Sequence, residues 1–297
     1  MEKITNCPIC KSTELSYFLT CKDYTVTGED FKIEICNSCK LLITNPKPSE
    51  TDLPGYYISS KYISHTGIGK NLVDRLYLMA RSYTLTKKLK LINQHTKNVG
   101  GEKILEYGCG TGEFVNTCKS NDWMVSGVEP SLTARTKAQE LTQQKIHSSL
   151  KELDAKDFHA ITLWHVLEHV PDLENIVEKL TSKLKKDGTM FIAVPNHESY
   201  DAKYYGNIWA AYDVPRHLWH FSRKNITMLM ERNGLRLKTI TPMKLDSFYV
   251  SMLSESYRNN SASSISNFLK AMWIGMKSNQ KAATSGNYSS LIYIFTK

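Results

Sequence analysis

A glycine-rich turn and the acids around it are the residues of this 297-residue chain that most directly indicate chemistry. The turn Gly108-Cys109-Gly110-Thr111-Gly112 follows a short apolar segment typical of a strand and precedes a predicted helix. Glycine lets the backbone approach a ligand closely, and the helix N-terminus behind it offers free N–H groups. Glu129 follows the next predicted strand, about twenty residues downstream, where a carboxylate can accept hydrogen bonds from both hydroxyls of a ribose.

Two details distinguish this turn from one that binds a dinucleotide. The dinucleotide fingerprint is G-x-G-x-x-G, whose third glycine packs the helix against the strand, whereas the glycines here fall on every second residue. In addition, Glu106 stands just before the turn. An acid at that position would repel a pyrophosphate but could pair with a ligand ammonium group. S-adenosylmethionine (SAM) carries an ammonium group and no phosphate.

The chain resembles the class I SAM-dependent methyltransferases over roughly residues 100–237. The matching segments are Glu106–Gly112 as the first motif, Glu129-Pro130 as the second, the strand Ala160–Trp164 with His165–Val170 after it, and Leu184–Ile192. The resemblance implies an α/β fold, a Rossmann-like doubly wound sheet of the seven-stranded methyltransferase type. It also implies SAM as cofactor.

The resemblance further implies which residues hold the cofactor at the carboxyl ends of the strands, where parallel sheets bind ligands. Glu106, Gly108, Gly110 and Gly112 would surround the methionyl part of SAM. Glu129 would bind the ribose.

Four more positions follow from the same resemblance. Ser148 and Leu150 would flank the adenine, and Trp164 would lie beside the cofactor. His165, which ends the fourth strand of the domain, is the candidate general base, because an imidazole with an unperturbed pKa of ~6.5 titrates close to working pH. His217, from a later insertion, is the rival candidate for the same role.

The segment His165-Val166-Leu167-Glu168-His169 allows other interpretations. It matches the metallopeptidase pattern H-x-x-E-H, but it directly follows an apolar strand within the methyltransferase pattern, which argues against a peptidase. Some ubiquinone-pathway O-methyltransferases carry Glu-x-x-Glu-His here and bind a divalent ion, whereas this chain has His165 in place of the first Glu. If a helix begins here, His165, Glu168 and His169 share one face. Alternatively, Glu168 and His169 only cap and brace the helix.

Four of the seven cysteines form two pairs, Cys7-Pro8-Ile9-Cys10 and Cys36-Asn37-Ser38-Cys39. Two thiolates separated by two residues can grip one tetrahedral Zn²⁺, so the pairs predict a zinc-ribbon-like module. Disulfides or a redox pair are the alternatives, but disulfides are rare in cytosolic proteins. A four-cysteine site leaves no open coordination position, so the zinc would be structural.

These patterns divide the chain into three parts. Residues 1–45 form the zinc-ribbon-like module, residues 46–98 a linker and helical segment, and residues 99–297 the methyltransferase domain. Helical periodicity runs from about Asn71 to Gln94, and Leu235 to Ile240 reads as the sixth strand of the domain. The segment Ser290 to Phe295 is predicted to be an antiparallel edge strand.

A long insertion, His197 to Phe221, is the segment predicted to contact the methyl acceptor. It places aromatic rings beside Asp213, Arg216 and His217. That density of titratable and aromatic groups favours a functional loop that closes over the acceptor. A buried aromatic cluster is the alternative.

Composition limits the remaining functions. The net charge is +9, but the basic residues are scattered, as on a solvated surface. No apolar run approaches the ~20 residues of a membrane span, and the first residues lack a secretory pattern; we therefore expect a cytoplasmic protein with no membrane partner.

A small-molecule acceptor is favoured over nucleic acid, because base-methylating enzymes usually show Asp/Asn-Pro-Pro-aromatic where this chain has Trp164-His165-Val166-Leu167. A SAM-binding protein without catalysis is the third hypothesis, and the sequence sets no oligomeric state.

Overall fold

The computed structural model describes residues 1–57, 72–96, 100–259 and 265–297. Its strands are β1 (Leu15–Lys22), β2 (Asp30–Cys36), β3 (Leu42–Thr44), β4 (Lys103–Tyr107), β5 (Met124–Val128), β6 (Ile146–His147), β7 (Phe158–Trp164), β8 (Leu184–Pro195), β9 (Trp219–His220), β10 (Arg236–Pro242) and β11 (Ser290–Thr296). Its α-helices are α1 (Leu72–His95), α2 (Glu113–Lys119), α3 (Leu132–Thr142), α4 (Leu173–Lys183), α5 (Tyr200–Tyr205), α6 (Arg223–Arg232), α7 (Asp246–Asn259) and α8 (Ile265–Ser285). Residues 58–71 of the predicted linker lie outside the described residues.

The predicted doubly wound sheet is present, with seven strands in the order β10-β11-β8-β7-β4-β5-β6. Strands β8, β7, β4, β5 and β6 run parallel to one another. Strand β11 is antiparallel to both of its neighbours, β8 and β10. The α/β doubly wound fold with seven strands, which the resemblance implied, is therefore confirmed.

The predicted position of the last strand is wrong. Strand β11 is antiparallel as expected, but it lies between β8 and β10, so that β10 forms the edge. The reason is visible in the side chains. Strand β11 is buried from Ser290 to Phe295, as a strand covered on both faces must be, whereas β10 carries exposed Arg236 and Lys238.

Local signals position the helices that follow the strands. Ser131 caps α3 by accepting a hydrogen bond from the Ala134 N–H, and Asp172 caps α4 in the same way from the Asn175 N–H. Ser222 and Asn225 form a reciprocal capping box at the start of α6. Such caps satisfy N–H groups that have no partner within the helix.

The N-terminal module and the insertion of the main domain share one β-sheet. Strands β1, β2 and β3 form a four-stranded sheet whose fourth strand is β9, from the insertion. The pairing joins Leu42 to His220 and Ile43 to Trp219. The domain boundaries at residues 45 and 98 stay predictions, but the module and the insertion share one sheet.

The insertion is packed rather than loose. Trp209, Tyr212 and Val214 are buried in a cluster with Ile33 and Leu42 of the module. The insertion therefore forms the buried aromatic cluster that was the alternative to a functional loop. Its closure over an acceptor stays a prediction. Within the described ranges, no helix has both the length and the apolar character needed to cross a membrane.

Candidate cofactor and acceptor site

The strand order places the candidate residues at one edge of the sheet. Strand β4 lies between β7 and β5, and the chain winds from β4 towards β6 on one side and from β7 towards β8 on the other. The reversal leaves a crevice at the carboxyl ends of β4 and β7, where ligands bind in such sheets. The glycine turn follows β4, and His165 follows β7.

The three glycines of the turn all have positive φ, at 74° for Gly108, 54° for Gly110 and 84° for Gly112. A Cβ on Gly108 would lie 2.5 Å from Cγ2 of Val166, and one on Gly112 would lie 2.9 Å from Cα of Ala138. A Cβ on Gly110 would meet nothing within 4 Å. Packing therefore requires glycine at positions 108 and 112, whereas Gly110 borders open space into which a ligand can come close.

Glu129 is held against the glycine turn by backbone N–H groups. Its carboxylate accepts hydrogen bonds from the Gly110 N–H at 2.8 Å and from the Ser131 N–H at 2.9 Å. A carboxylate has about four lone-pair sites, so oxygen sites remain for a further donor. The structure thus brings together the turn and the downstream acid that the sequence singled out.

Glu106 is buried at the end of β4, and its Oε2 has no hydrogen-bond partner within the described residues. Burial raises the pKa of Glu106 to about 8, against the opposing charge of nearby Lys88. Burial in turn lowers the pKa of Lys88. The Lys88 ammonium lies 4.5 Å above the centroid of the Trp164 ring, so the acid, the lysine and the indole surround one region.

Sequence reasoning missed Lys88, although a signal was present. Lys88 lies three residues after Leu85 and four before Ile92, the spacing of residues on one helix face, and both belong to the apolar face of α1. A lysine on an apolar face is expected to have a nearby acid or ring, and here it has both.

The two residues predicted to flank adenine follow β6, which pairs with β5 beside Glu129. Leu150 is buried, and the Ser148 N–H donates to the Glu152 carboxylate at 3.0 Å. Both residues therefore lie at the same carboxyl edge of the sheet as Glu129. Their contact with adenine stays a prediction.

His165 adopts a left-handed backbone conformation, with φ of 55°, directly after β7. Its Nε2 is 3.1 Å from Oδ2 of Asp246, and its Nδ1 is 3.4 Å from Oε1 of Glu168. Burial disfavours the imidazolium, but the attraction of the Asp246 and Glu168 carboxylates outweighs it and raises the pKa of His165 to about 9. Asp246 begins α7, about eighty residues away, and no sequence pattern pointed to it.

The helical face that would have joined three residues of the His-Val-Leu-Glu-His segment does not form. Only Leu167–His169 is helical, as a single 3-10 turn. His165 is directed to Asp246, whereas His169 Nδ1 lies 3.0 Å from the Tyr57 hydroxyl and 3.0 Å from the carbonyl oxygen of Arg216. The backbone reversal at His165 therefore separates it from His169.

His217 is buried within the insertion, as expected for the buried aromatic cluster that was the alternative to a functional loop. Its Nδ1 is 2.8 Å from the carbonyl oxygen of Ala211, and its ring centroid is 4.5 Å from that of His169. Burial, together with the charge of His217, lowers the pKa of His169 to about 4. His169 is therefore neutral at physiological pH.

The insertion that carries His217 is fastened to the N-terminal module. Arg216 is buried and forms ion pairs with Asp213 at 2.6 Å and with Asp23 at 3.0 Å. Thr44 Oγ1 donates to the carbonyl oxygen of His217 at 2.7 Å. Asp23 and Thr44 both belong to the module, so the module helps to fix the insertion that carries His217.

The four paired cysteines lie together, with their sulfur atoms within 4.8 Å of one another. The Sγ atoms of Cys7 and Cys39 are 3.5 Å apart, and those of Cys10 and Cys36 are 3.4 Å apart. A disulfide would require ~2.05 Å, whereas sulfurs at ~2.3 Å from a tetrahedral Zn²⁺ lie about 3.8 Å apart. The contact between Cys7 and Cys39 lowers the pKa of Cys7 to about 5 and raises the pKa of Cys39.

Residues 77–240, just over half of the chain, match a family described as Methyltransferase domain. The ubiquinone biosynthesis O-methyltransferase of Glaesserella parasuis is 31% identical over 122 residues, covering 37% of this chain and 52% of that protein. The enzyme of the same description from Coxiella burnetii is 27% identical over 169 residues, covering 52% of this chain and 71% of that protein. This chain therefore spans about half the length of the first of these relatives.

Solved structures show the same fold. The magnesium protoporphyrin IX methyltransferase from Synechocystis PCC 6803 with bound SAH has a TM-score of 0.55 at 14% identity, and the match covers 84% of this chain and all of that one, 100%. Its SAM-bound form has a TM-score of 0.52 at 14% identity, covering 86% of this chain and 100% of that one.

Proposed function

This chain belongs to the methyltransferase domain family, and we propose that it transfers the methyl group of SAM to a small-molecule acceptor. The observation that carries the proposal is the pair of acids at the glycine turn. Glu106 is buried with an unpartnered oxygen, and Glu129 is held by the Gly110 N–H. A ligand with a cationic end and a ribose suits both.

The residues at the turn fit SAM. The Glu106 carboxylate would pair with the ammonium group, and Glu129 would accept hydrogen bonds from the ribose hydroxyls. Gly110 leaves the open space needed for close approach of the methionyl part, between Gly108 and Gly112. Ser148 and Leu150 are proposed to border the adenine, and Trp164 to flank the cofactor.

Bound SAM supplies a methyl group on a sulfonium, and the protein's task is to orient the acceptor in line with it. An acceptor hydroxyl must also lose a proton. We propose His165 for that step, because it ends β7 beside Trp164 and has a carboxylate, Asp246, to stabilise its charged form. His165 can accept a proton only after it has released its own, since its pKa is raised to about 9. His217 is the alternative.

A small molecule is the acceptor class that the structure favours. The insertion is packed into a buried cluster around Trp209 and Tyr212, which suits an enclosed acceptor better than a polymer. The relatives reported above that are named for a pathway are ubiquinone biosynthesis O-methyltransferases.

The cysteine cluster is proposed to bind one structural Zn²⁺ through Cys7, Cys10, Cys36 and Cys39. Its support is the clustering of four sulfurs at spacings near those of a tetrahedral site. Free thiols of this kind persist in a reducing compartment, so a cytoplasmic location is proposed with it.

The proposal is tested by incubating the purified protein with methyl-tritiated SAM and a cell extract separated into small-molecule, nucleic-acid and protein fractions. Label in the small-molecule fraction is the expected result. Label in nucleic acid would instead favour base or ribose methylation, and SAM binding without transfer would indicate a non-catalytic role. His165→Ala and His217→Ala are then compared for turnover, because loss of a general base typically costs ~10²–10⁴-fold while leaving SAM affinity intact.

A further inference from the structure

We propose that Glu168, His169 and His217 form a second metal site, which binds a divalent cation beside His165. The three side chains offer one ligand atom each, and these atoms lie within 4.8 Å of one another. Glu168 and His169 follow β7, whereas His217 belongs to the insertion. The two segments are joined by the Leu218 N–H, which donates to the carbonyl oxygen of Glu168 at 2.8 Å.

The hydrogen bonds of the two histidines leave one ring nitrogen of each available to a metal. Nδ1 of His217 is 2.8 Å from the carbonyl oxygen of Ala211, and Nδ1 of His169 is 3.0 Å from that of Arg216. A carbonyl oxygen only accepts, so each Nδ1 carries the proton and each Nε2 keeps its lone pair. Metal-binding histidines usually donate their other ring N–H to a carbonyl or carboxylate in this way.

The carboxylate of the group is buried and incompletely paired. Glu168 is 1% exposed, and neither of its oxygens makes a hydrogen bond within the described residues. Its Oε1 lies 3.4 Å from Nδ1 of His165, an ion pair that involves only one of the two carboxylate oxygens. Burying a carboxylate is costly unless it is fully paired and hydrogen-bonded, and a cation between Glu168 and the two imidazoles would offset that cost.

The donor set indicates the kind of cation. Two imidazoles and one carboxylate suit Mn²⁺, Fe²⁺, Co²⁺ or Zn²⁺, and three protein ligands leave coordination positions open. His165 is not part of the set, because its Nε2 lies against Asp246. If the proposed methyl transfer is correct, an open position could bind and polarise an acceptor oxygen, and His217 would then be a metal ligand rather than a base.

Binding of Mn²⁺ tests the proposal, because Mn²⁺ has little affinity for a thiolate site such as the four-cysteine cluster. The zinc-containing protein, without acceptor, is titrated with Mn²⁺, and the free ion is measured by electron paramagnetic resonance. One Mn²⁺ per chain is expected to bind. Glu168→Gln and His217→Gln should each weaken binding by more than about 10-fold, since even the loss of an outer-shell partner costs 10–100-fold.

His165→Gln is the matched control, and it should retain Mn²⁺ binding. Absence of Mn²⁺ binding to the wild-type protein overturns the proposal, as does binding that survives His217→Gln. Loss of binding in His165→Gln together with retention in His217→Gln would place the cation on the other side of Glu168, and would equally overturn it. SAM affinity, measured on each variant, reports folding, and the proposed methyl transfer is tested separately by the transfer of label from SAM to an acceptor in the wild-type protein.

Discussion

Replacement of Gly110 by alanine separates the role of the turn in ligand binding from its role in folding. Gly110 has a φ of 54°, and an added Cβ would meet nothing within 4 Å. Placing a residue with a Cβ in a left-handed conformation costs roughly 1–2 kcal/mol. That is the whole expected loss of folding stability, because no atom of the protein opposes the new methyl group.

The chain offers a control with the same strain. Gly234, which follows α6, has a φ of 79°, and an added Cβ there also meets nothing within 4 Å. It precedes β10, the edge strand that lies farthest from β5 and β6 in the same sheet. Gly110→Ala and Gly234→Ala should therefore lower the thermal midpoint by similar amounts of a few degrees, as ~1–2 kcal/mol does in a chain of this size.

SAM binding should distinguish the two variants. A methyl group at position 110 projects into the space that the cofactor is proposed to enter, and it strains the N–H that holds Glu129. We expect Gly110→Ala to weaken SAM binding by at least about tenfold, or 1.4 kcal/mol, in isothermal titration calorimetry. Gly234→Ala should bind SAM as the wild-type protein does. If the two variants bind SAM with equal affinity, then SAM does not occupy the open space beside Gly110.

Three further predictions follow from the site and its supports. Glu129→Ala should weaken SAM binding by more than about 1.4 kcal/mol, because it removes charge-assisted hydrogen bonds to two hydroxyls; an unchanged affinity in calorimetry would remove Glu129 from the site. Cys10→Ser should abolish the binding of the one proposed zinc ion, measured by elemental analysis, and unfold the N-terminal module; zinc content equal to that of the wild-type protein would contradict the cluster. Asp23→Asn should lower the free energy of unfolding by about 3 kcal/mol, measured in urea, because it leaves the buried Arg216 with one carboxylate fewer; a change below about 1 kcal/mol would show that Asp213 alone suffices.

The sequence determined the features that depend on short segments. Helical periodicity predicted residues 71–94, and α1 runs from Leu72 to His95. The predicted strand at residues 235–240 is β10, Arg236–Pro242. The glycine turn and Glu129 were also readable, since a left-handed turn and an acid after the next strand are encoded by residue type and spacing.

The features that only the tertiary structure decided depend on contacts between distant segments. The sequence could not show that β3 of the module pairs with β9, or that β11 lies inside the sheet instead of at its edge, because strand pairing is a long-range choice among similar apolar segments. Nor could it show that Asp246 faces His165, or that His217 meets Glu168 and His169. The left-handed backbone at His165 places its Nε2 against Asp246, and the buried insertion brings His217 to Glu168 and His169. Packing between distant segments, and not the spacing of residues along the chain, therefore set the membership of this cluster.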